Sequence, residues 1–159
     1  MRRPDPYQLV TAALSRYEEA RRERHVYVSR LAARFFRGRG RGVEAGRRVH
    51  GRLWALDPYD VLEYEEACTP FPLAWRFRFG WLLGVPDRLC FRRGMPHAVV
   101  EYKSYHAARK AELIQASLYG LLAQLNFAAP IQVYLHTTNH LNRIENWETL
   151  ALQALSRVG

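Results

Sequence analysis

The sequence predicts a mixed α/β domain, with a central mixed sheet flanked by helices and led by a basic, helical N-terminal segment. Three observations lead there. Hydrophobic spacing is helical in the first third, shifts to period two between residues 61 and 104, and turns helical again over 106–127. At 159 residues the chain fits one domain and can bury a core. With 48% apolar and 13% aromatic residues, its composition is globular rather than disordered.

Taken in order, residues 7–36 read as helical, with Tyr7, Val10, Leu14 and Tyr17 at helical spacing before a charged stretch. Residues 37–42 alternate Arg and Gly and form a loop. A second helix over 43–56 places Val49, Leu53 and Leu56 on one face and stops at Pro58. Strands follow at 61–67 and 74–83, separated by Pro70 and Pro72. The sheet continues over 86–91, a turn at 92–96 and a strand at 97–104. The helix at 106–127 aligns Ile114, Leu118, Leu121, Leu122 and Leu125. Residues 131–137 alternate as a strand. Asn142 with Glu145 three residues on resembles a capping box and opens a final helix to 158. The domain 1–159 thus divides into a basic helical segment (1–56), the sheet with its helix (57–137), and a C-terminal helix (138–159).

Charge is unevenly placed. The formal net charge is +9, and residues 1–52 hold 14 Arg against five acids, so the whole excess lies in the first third. That distribution suits a segment lying along a polyanion, with Arg37, Arg39, Arg41, Arg47, Arg48 and Arg52 as the candidate nucleic-acid contacts. Arg outnumbers Lys 22 to 2, which makes Lys103 conspicuous: a compact ammonium fits beside a phosphate oxygen where a guanidinium fork does not. Cys68 and Cys90 have no metal-ligand spacing, which argues against zinc or a four-cysteine iron–sulfur cluster; a disulfide between them is open but has no supporting context in the sequence. With no apolar run near 18 residues and no leader pattern, the expectation is an intracellular protein that does not engage a membrane.

The chemistry-bearing residues cluster in three short motifs. In a strand, Glu101 and Lys103 share a face with Val99, while Val100 and Tyr102 point the other way. A hairpin turn centred on Gly94 sets Asp87 directly across from Glu101, with Cβ atoms about 4.5–5.5 Å apart. Two carboxylates so close repel unless a cation lies between them, and a hard divalent ion, Mg²⁺ or Mn²⁺, resolves the conflict, with the Tyr102 carbonyl as a further ligand. Such an ion activates water for attack on phosphorus, with Lys103 neutralising developing charge. Gln115 and Tyr119, one turn apart on the next helix, are suited to a phosphate or a metal-bound water and to stacking on a base. His50 is a candidate to complete the metal shell, with His25 a second choice for that role. Glu63, Glu65 and Glu66 read as a solvated strand face, with a ligand to a second metal among them as the alternative.

Gly84-Val85-Pro86-Asp87, Val99-Val100-Glu101-Tyr102-Lys103 and Gln115-x-x-x-Tyr119 together resemble the RecB-like branch of the PD-(D/E)xK nuclease superfamily, over about residues 46–137. Within it the pattern is most similar to CRISPR-associated RecB-like exonucleases and their viral or archaeal relatives. The resemblance implies a restriction-endonuclease-like core and Mg²⁺- or Mn²⁺-dependent DNA cleavage. It implies His50, Asp87, Glu101 and the Tyr102 carbonyl at the metal, and Lys103 as catalytic. The CRISPR-associated members carry four cysteines around an iron–sulfur cluster. Here Phe35 and Phe36 stand where the first would fall and the C-terminal region has none, so a cluster-free form is expected. The favoured substrate is DNA that is single-stranded or has free ends. The alternatives are a structure-specific endonuclease or junction resolvase acting as a homodimer, and a non-catalytic nucleic-acid-binding protein of the same fold.

Overall fold

A computed structural model describes residues 4–35, 57–103, 110–138 and 140–158. Asp5 opens the first helix, α1 (Pro6–Arg22), by a reciprocal cap: the Gln8 amide donates to Asp5 Oδ1 at 2.8 Å and the Asp5 amide to Gln8 Oε1 at 3.1 Å. Pro6 sits in the first turn, where its missing N–H costs nothing. The helical expectation for 7–36 fails past Arg22. There the chain extends, and His25–Tyr27 forms a short strand, β1, parallel to residues 81–83, before α2 (Val28–Ala33).

A 3₁₀ helix covers Pro58–Leu62, where strand 61–67 was expected to begin. Asp57 caps it, accepting from the Tyr59 amide at 3.0 Å, and Pro58 occupies its first turn. The strands are β2 (Glu66–Thr69), β3 (Leu73–Phe77), β4 (Gly80–Gly84), β5 (Arg88–Arg92) and β6 (Met95–Tyr102). The expected single strand 74–83 is a hairpin that turns before Gly80, whose φ of 117° only glycine adopts readily. Helix α3 (Lys110–Phe127), β7 (Gln132–His136), β8 (Leu141–Arg143) and α4 (Trp147–Ser156) complete the order. The anticipated cap at Asn142 is instead strand; α4 starts after Asn146, whose side chain makes no capping bond. The helix expected over 43–56 lies outside the described residues.

The architecture is α/β with mixed sheets flanked by helices, but the described residues form two sheets, not one. The first has order β1-β4-β3 and the second β2-β5-β6-β7-β8. Pro70, Pro72 and Pro86 lie at the crossings between them, where a residue without an N–H takes no donor away from a ladder. β6 and β7 are parallel and α3 is their crossover. One face of the five-stranded sheet presents Leu89, Val99, Val133 and Leu135 to α3, all fully buried. Asn126 ties the far side of α3 to the other layer: its amide donates to the Ala74 carbonyl at 3.0 Å, and its oxygen accepts from Arg16 of α1 at 3.0 Å. Cys68 and Cys90 are directly opposed across β2 and β5 and form a disulfide, a pairing produced by strand register and invisible in their spacing. Among the described residues no helix is long and apolar enough to cross a membrane.

At Gly120, α3 comes so close to β7 and α4 that a Cβ would lie 2.5 Å from Val133 Cγ2 and 3.2 Å from Trp147 Cε3. Alanine normally favours a helix over glycine by about 1 kcal/mol. Gly120→Ala should nevertheless destabilise the protein by about 1–3 kcal/mol through overpacking. Urea denaturation checks the sign, and a more stable variant would show that the contact gives way.

Candidate active site

Pairing of β5 with β6 sets the site. Near the turn, Arg92 opposes Met95 and Phe91 opposes Pro96, joined by Arg93 and Gly94 with φ of 51° and 78°, the left-handed pair of a two-residue hairpin. A bulge then intervenes, and Cys90 opposes Ala98, Leu89 opposes Val99 and Arg88 opposes Val100. The next step along both strands brings Asp87 against Glu101. Val99 and Glu101 face the buried side, as their alternation requires, and Tyr102 is exposed on the other.

The two acids are 4% and 1% exposed, and their contacts interlock. The Asp87 amide donates to Glu101 Oε1 at 2.6 Å, and the Tyr102 amide donates to Asp87 Oδ2 at 2.8 Å. Glu101 Oε2 is buried without a hydrogen-bond partner. In extended backbone a residue's N–H and C=O project to the same edge, so the Tyr102 carbonyl also faces the side on which Asp87 lies. Burial pushes the Glu101 carboxyl well above the usual carboxylate range; the Asp87 charge adds to this and the Lys103 ammonium opposes it. Lys103 is half-buried beyond Tyr102, its amide held by the His136 carbonyl at 2.8 Å.

Gln115 and Tyr119 do lie one turn apart on α3, but Tyr119 is 2% exposed. It has no open face for a base, contrary to the stacking and nucleic-acid contact expected of it. Helix α3 is enclosed by the sheet, α1, α2 and α4, so a residue beside its apolar stripe is buried as well. Tyr119 fits against Gly84, where a Cβ would come within 2.8 Å of Cε1. Burial, then the nearby Glu101 and Asp87 charges, raises its phenol well above the ordinary value, while a hydrogen bond with Gln115 works the other way. Gln115 and Tyr119 therefore form a neutral polar link behind the acid pair.

His50, Arg37, Arg39, Arg41, Arg47, Arg48 and Arg52 lie outside the described residues. His25 belongs to the three-stranded sheet and is engaged by the Glu23 carbonyl, at 2.8 Å from Nδ1, and by the Tyr27 ring. Glu65 and Glu66 are exposed and paired with Arg93 and Arg92 at 3.6 and 3.0 Å. Among the described residues no three His, Cys, Asp or Glu side chains converge. The donor set is two carboxylates and a backbone carbonyl, and its oxygen-only character with one orphaned acceptor suits a hard divalent cation. Missed in the sequence was the reverse side of the same strands, where Arg88, Tyr102 and His136 meet; they alternate with Asp87, Glu101 and Leu135, which was the available signal.

No family model matches the chain. No curated protein matches it. A solved structure described as "Crystal structure of SSO0001" is similar at 14% identity and a TM-score of 0.40, over 93% of this chain and 84% of that one, a likeness too distant to bear on family or activity.

Without a cation, Glu101 is the weak point of the core. Its carboxyl holds a proton more tightly folded than unfolded, so the stability it lends is present below its ordinary value of 4.5 and lost as pH rises through the higher folded value. Glu101→Gln keeps the oxygen for the Asp87 amide and adds a donor in place of Oε2. In EDTA it should stabilise the protein by about 1–3 kcal/mol at neutral pH. The melting point should rise roughly 2–4 °C per kcal/mol, and the gap to wild type should shrink in acid. A melting series across pH measures this; a Gln variant less stable at every pH would contradict it.

Proposed function

We propose that this protein is a DNA nuclease of the PD-(D/E)xK type, with a restriction-endonuclease-like core, that hydrolyses phosphodiester bonds with Mg²⁺ or Mn²⁺. The observation that carries the reading is the buried Asp87–Glu101 pair with Glu101 Oε2 unpartnered. A binding protein has no physical use for two buried carboxylates facing each other, whereas a cation site needs them. Asp87, Glu101 and the Tyr102 carbonyl would hold the ion, with His50 as the candidate fourth group. When bound, the ion supplies an activated water and charge stabilisation at phosphorus.

The chain's own residues do the rest. Lys103 follows the acids on the same strand and neutralises charge gathering on the phosphate oxygens. Gln115 positions Tyr119, whose protonated phenol closes the inner wall behind the carboxylates without adding charge. The arginines of 37–52 hold the nucleic-acid backbone electrostatically. The favoured substrate is single-stranded or end-containing DNA inside the cell, and action on paired strands by a homodimer is the alternative.

End-labelled single-stranded, blunt duplex and circular DNA, incubated with Mg²⁺, Mn²⁺ or EDTA, test the reading. Linear substrates should be degraded only with metal. Lys103→Ala should lower kcat about 10²–10³-fold, as loss of one charge-stabilising group does elsewhere. Asp87→Ala should abolish both cleavage and the Mn²⁺ binding heat seen by calorimetry. Cleavage of the circle would make the enzyme an endonuclease. DNA binding without cleavage of any substrate would favour the binding protein.

A further inference from the structure

The face of the five-stranded sheet turned away from α3 carries two rows of side chains that the acid pair does not use. Strand register places Arg88, Val100, Tyr134 and Arg143 side by side, and Tyr102, His136 and Leu141 in the adjoining row. Residues paired across a ladder share a face, so these seven lie opposite Leu89, Val99, Glu101, Val133 and Leu135. Their exposure agrees: Tyr102 is 39% and Leu141 58% exposed, Arg88 and Arg143 are open to solvent, and Val100, Tyr134 and His136 are half-buried. The rings are already arranged. The Arg88 guanidinium lies 5.3 Å from the Tyr102 centroid, and the Tyr102 and His136 rings are 4.9 Å apart.

We infer that this open sheet face is a stacking platform for single-stranded nucleic acid. Arg88 and Arg143 have no carboxylate in either row, so the face offers cations to a polyanion. The acid on this face, Glu66, sits at its far end and is neutralised by Arg92 at 3.0 Å. An exposed Tyr102 ring beside the half-buried His136 ring, with a guanidinium against the tyrosine, accepts the flat face of any base, which a duplex keeps inside its stack. An acidic peptide would use the arginines but not the rings. A second copy would bring two like-charged faces together.

The position adds a consequence that rests on the nuclease reading. Arg88 follows Asp87 and Tyr102 follows Glu101, so platform and acid pair occupy the same strand ends on opposite faces. To reach the acids, a strand stacked on Tyr102 would have to turn sharply about the end of β5 and β6, a bend that suits a flexible single strand better than a stiff duplex. The platform thus assigns single-stranded DNA as the substrate class.

The test separates binding from cleavage. Fluorescence anisotropy of a labelled oligothymidine in EDTA measures binding without metal. Tyr102→Ala and His136→Ala should each weaken it about ten-fold, the loss typical of one stacked base. Tyr102→Phe should bind as wild type does, and Tyr102→Leu, which keeps apolar bulk and guards against a folding defect, should fail like alanine. Arg143→Ala should make the salt dependence shallower by about one charge. The inference is overturned if Tyr102→Leu and His136→Ala bind like wild type, if all variants lose single-strand and duplex binding equally, or if the wild type does not bind. Cleavage with Mn²⁺ is read separately: ring variants that lose binding while no substrate is cut would sink the nuclease reading and leave the platform standing.

Discussion

Between the pairs Phe91–Pro96 and Cys90–Ala98, β6 carries one residue, His97, that β5 does not match. Pro96 has no N–H to give the ladder, and the strand takes up the irregularity as a bulge. Without it the two-residue turn would continue in register and set Asp87 against Val100. Because side chains alternate, that slip would also turn one acid to the core and leave the other on the opposite face. Apposition of Asp87 and Glu101, the orphaned Oε2, the Tyr102 amide on Asp87 and the reverse-side meeting of Arg88 with Tyr102 all depend on this single extra residue.

The register positions the acids, and α3 fixes what lies behind them. The parallel β6–β7 pair requires a crossover, and the crossover helix must lie against the face that holds Glu101. Gly120 lets α3 approach β7 and Trp147, and Gly84 gives Tyr119 room beside the acids. A phenol kept neutral by burial is well suited to that wall: it offers polarity near two carboxylates without a third negative charge.

Much of this was legible in the sequence, for identifiable reasons. The apposition of the acids follows from strand period and turn position. A loop centred on Gly94 and the observed two-residue turn followed by a bulge count the same number of residues, so they agree beyond Ala98 and differ only near the turn. The helix carrying Gln115 and Tyr119 was legible from its apolar repeat. The two-sheet division was not, since prolines announce a break without saying where the chain goes next. The β3–β4 hairpin hides in a continuous apolar and aromatic run, with Gly80 as its one mark. Burial of Tyr119 escaped because a helical stripe reports one covered face, whereas α3 is covered nearly all round. The Cys68–Cys90 bond is long-range pairing, which spacing cannot show.

The acid pair also shows a conflict between levels that the rest of the fold does not. Elsewhere among the described residues buried polar side chains are satisfied: Asn126 by Arg16 and two carbonyls, Ser117 by the Leu113 carbonyl. Glu101 alone among the described residues keeps a buried, unpartnered side-chain oxygen, and it does so next to a second carboxylate. An apolar residue of similar volume would pack there at lower cost, so stability does not account for the choice. The divalent cation proposed above would account for it, since two buried carboxylates are more complementary to such an ion than to each other. The same strands carry opposite chemistry on their two faces, carboxylates inward and arginine with aromatic rings outward, and the two proposals rest on these two faces. One alternation of side chains at the ends of β5 and β6 supplies both.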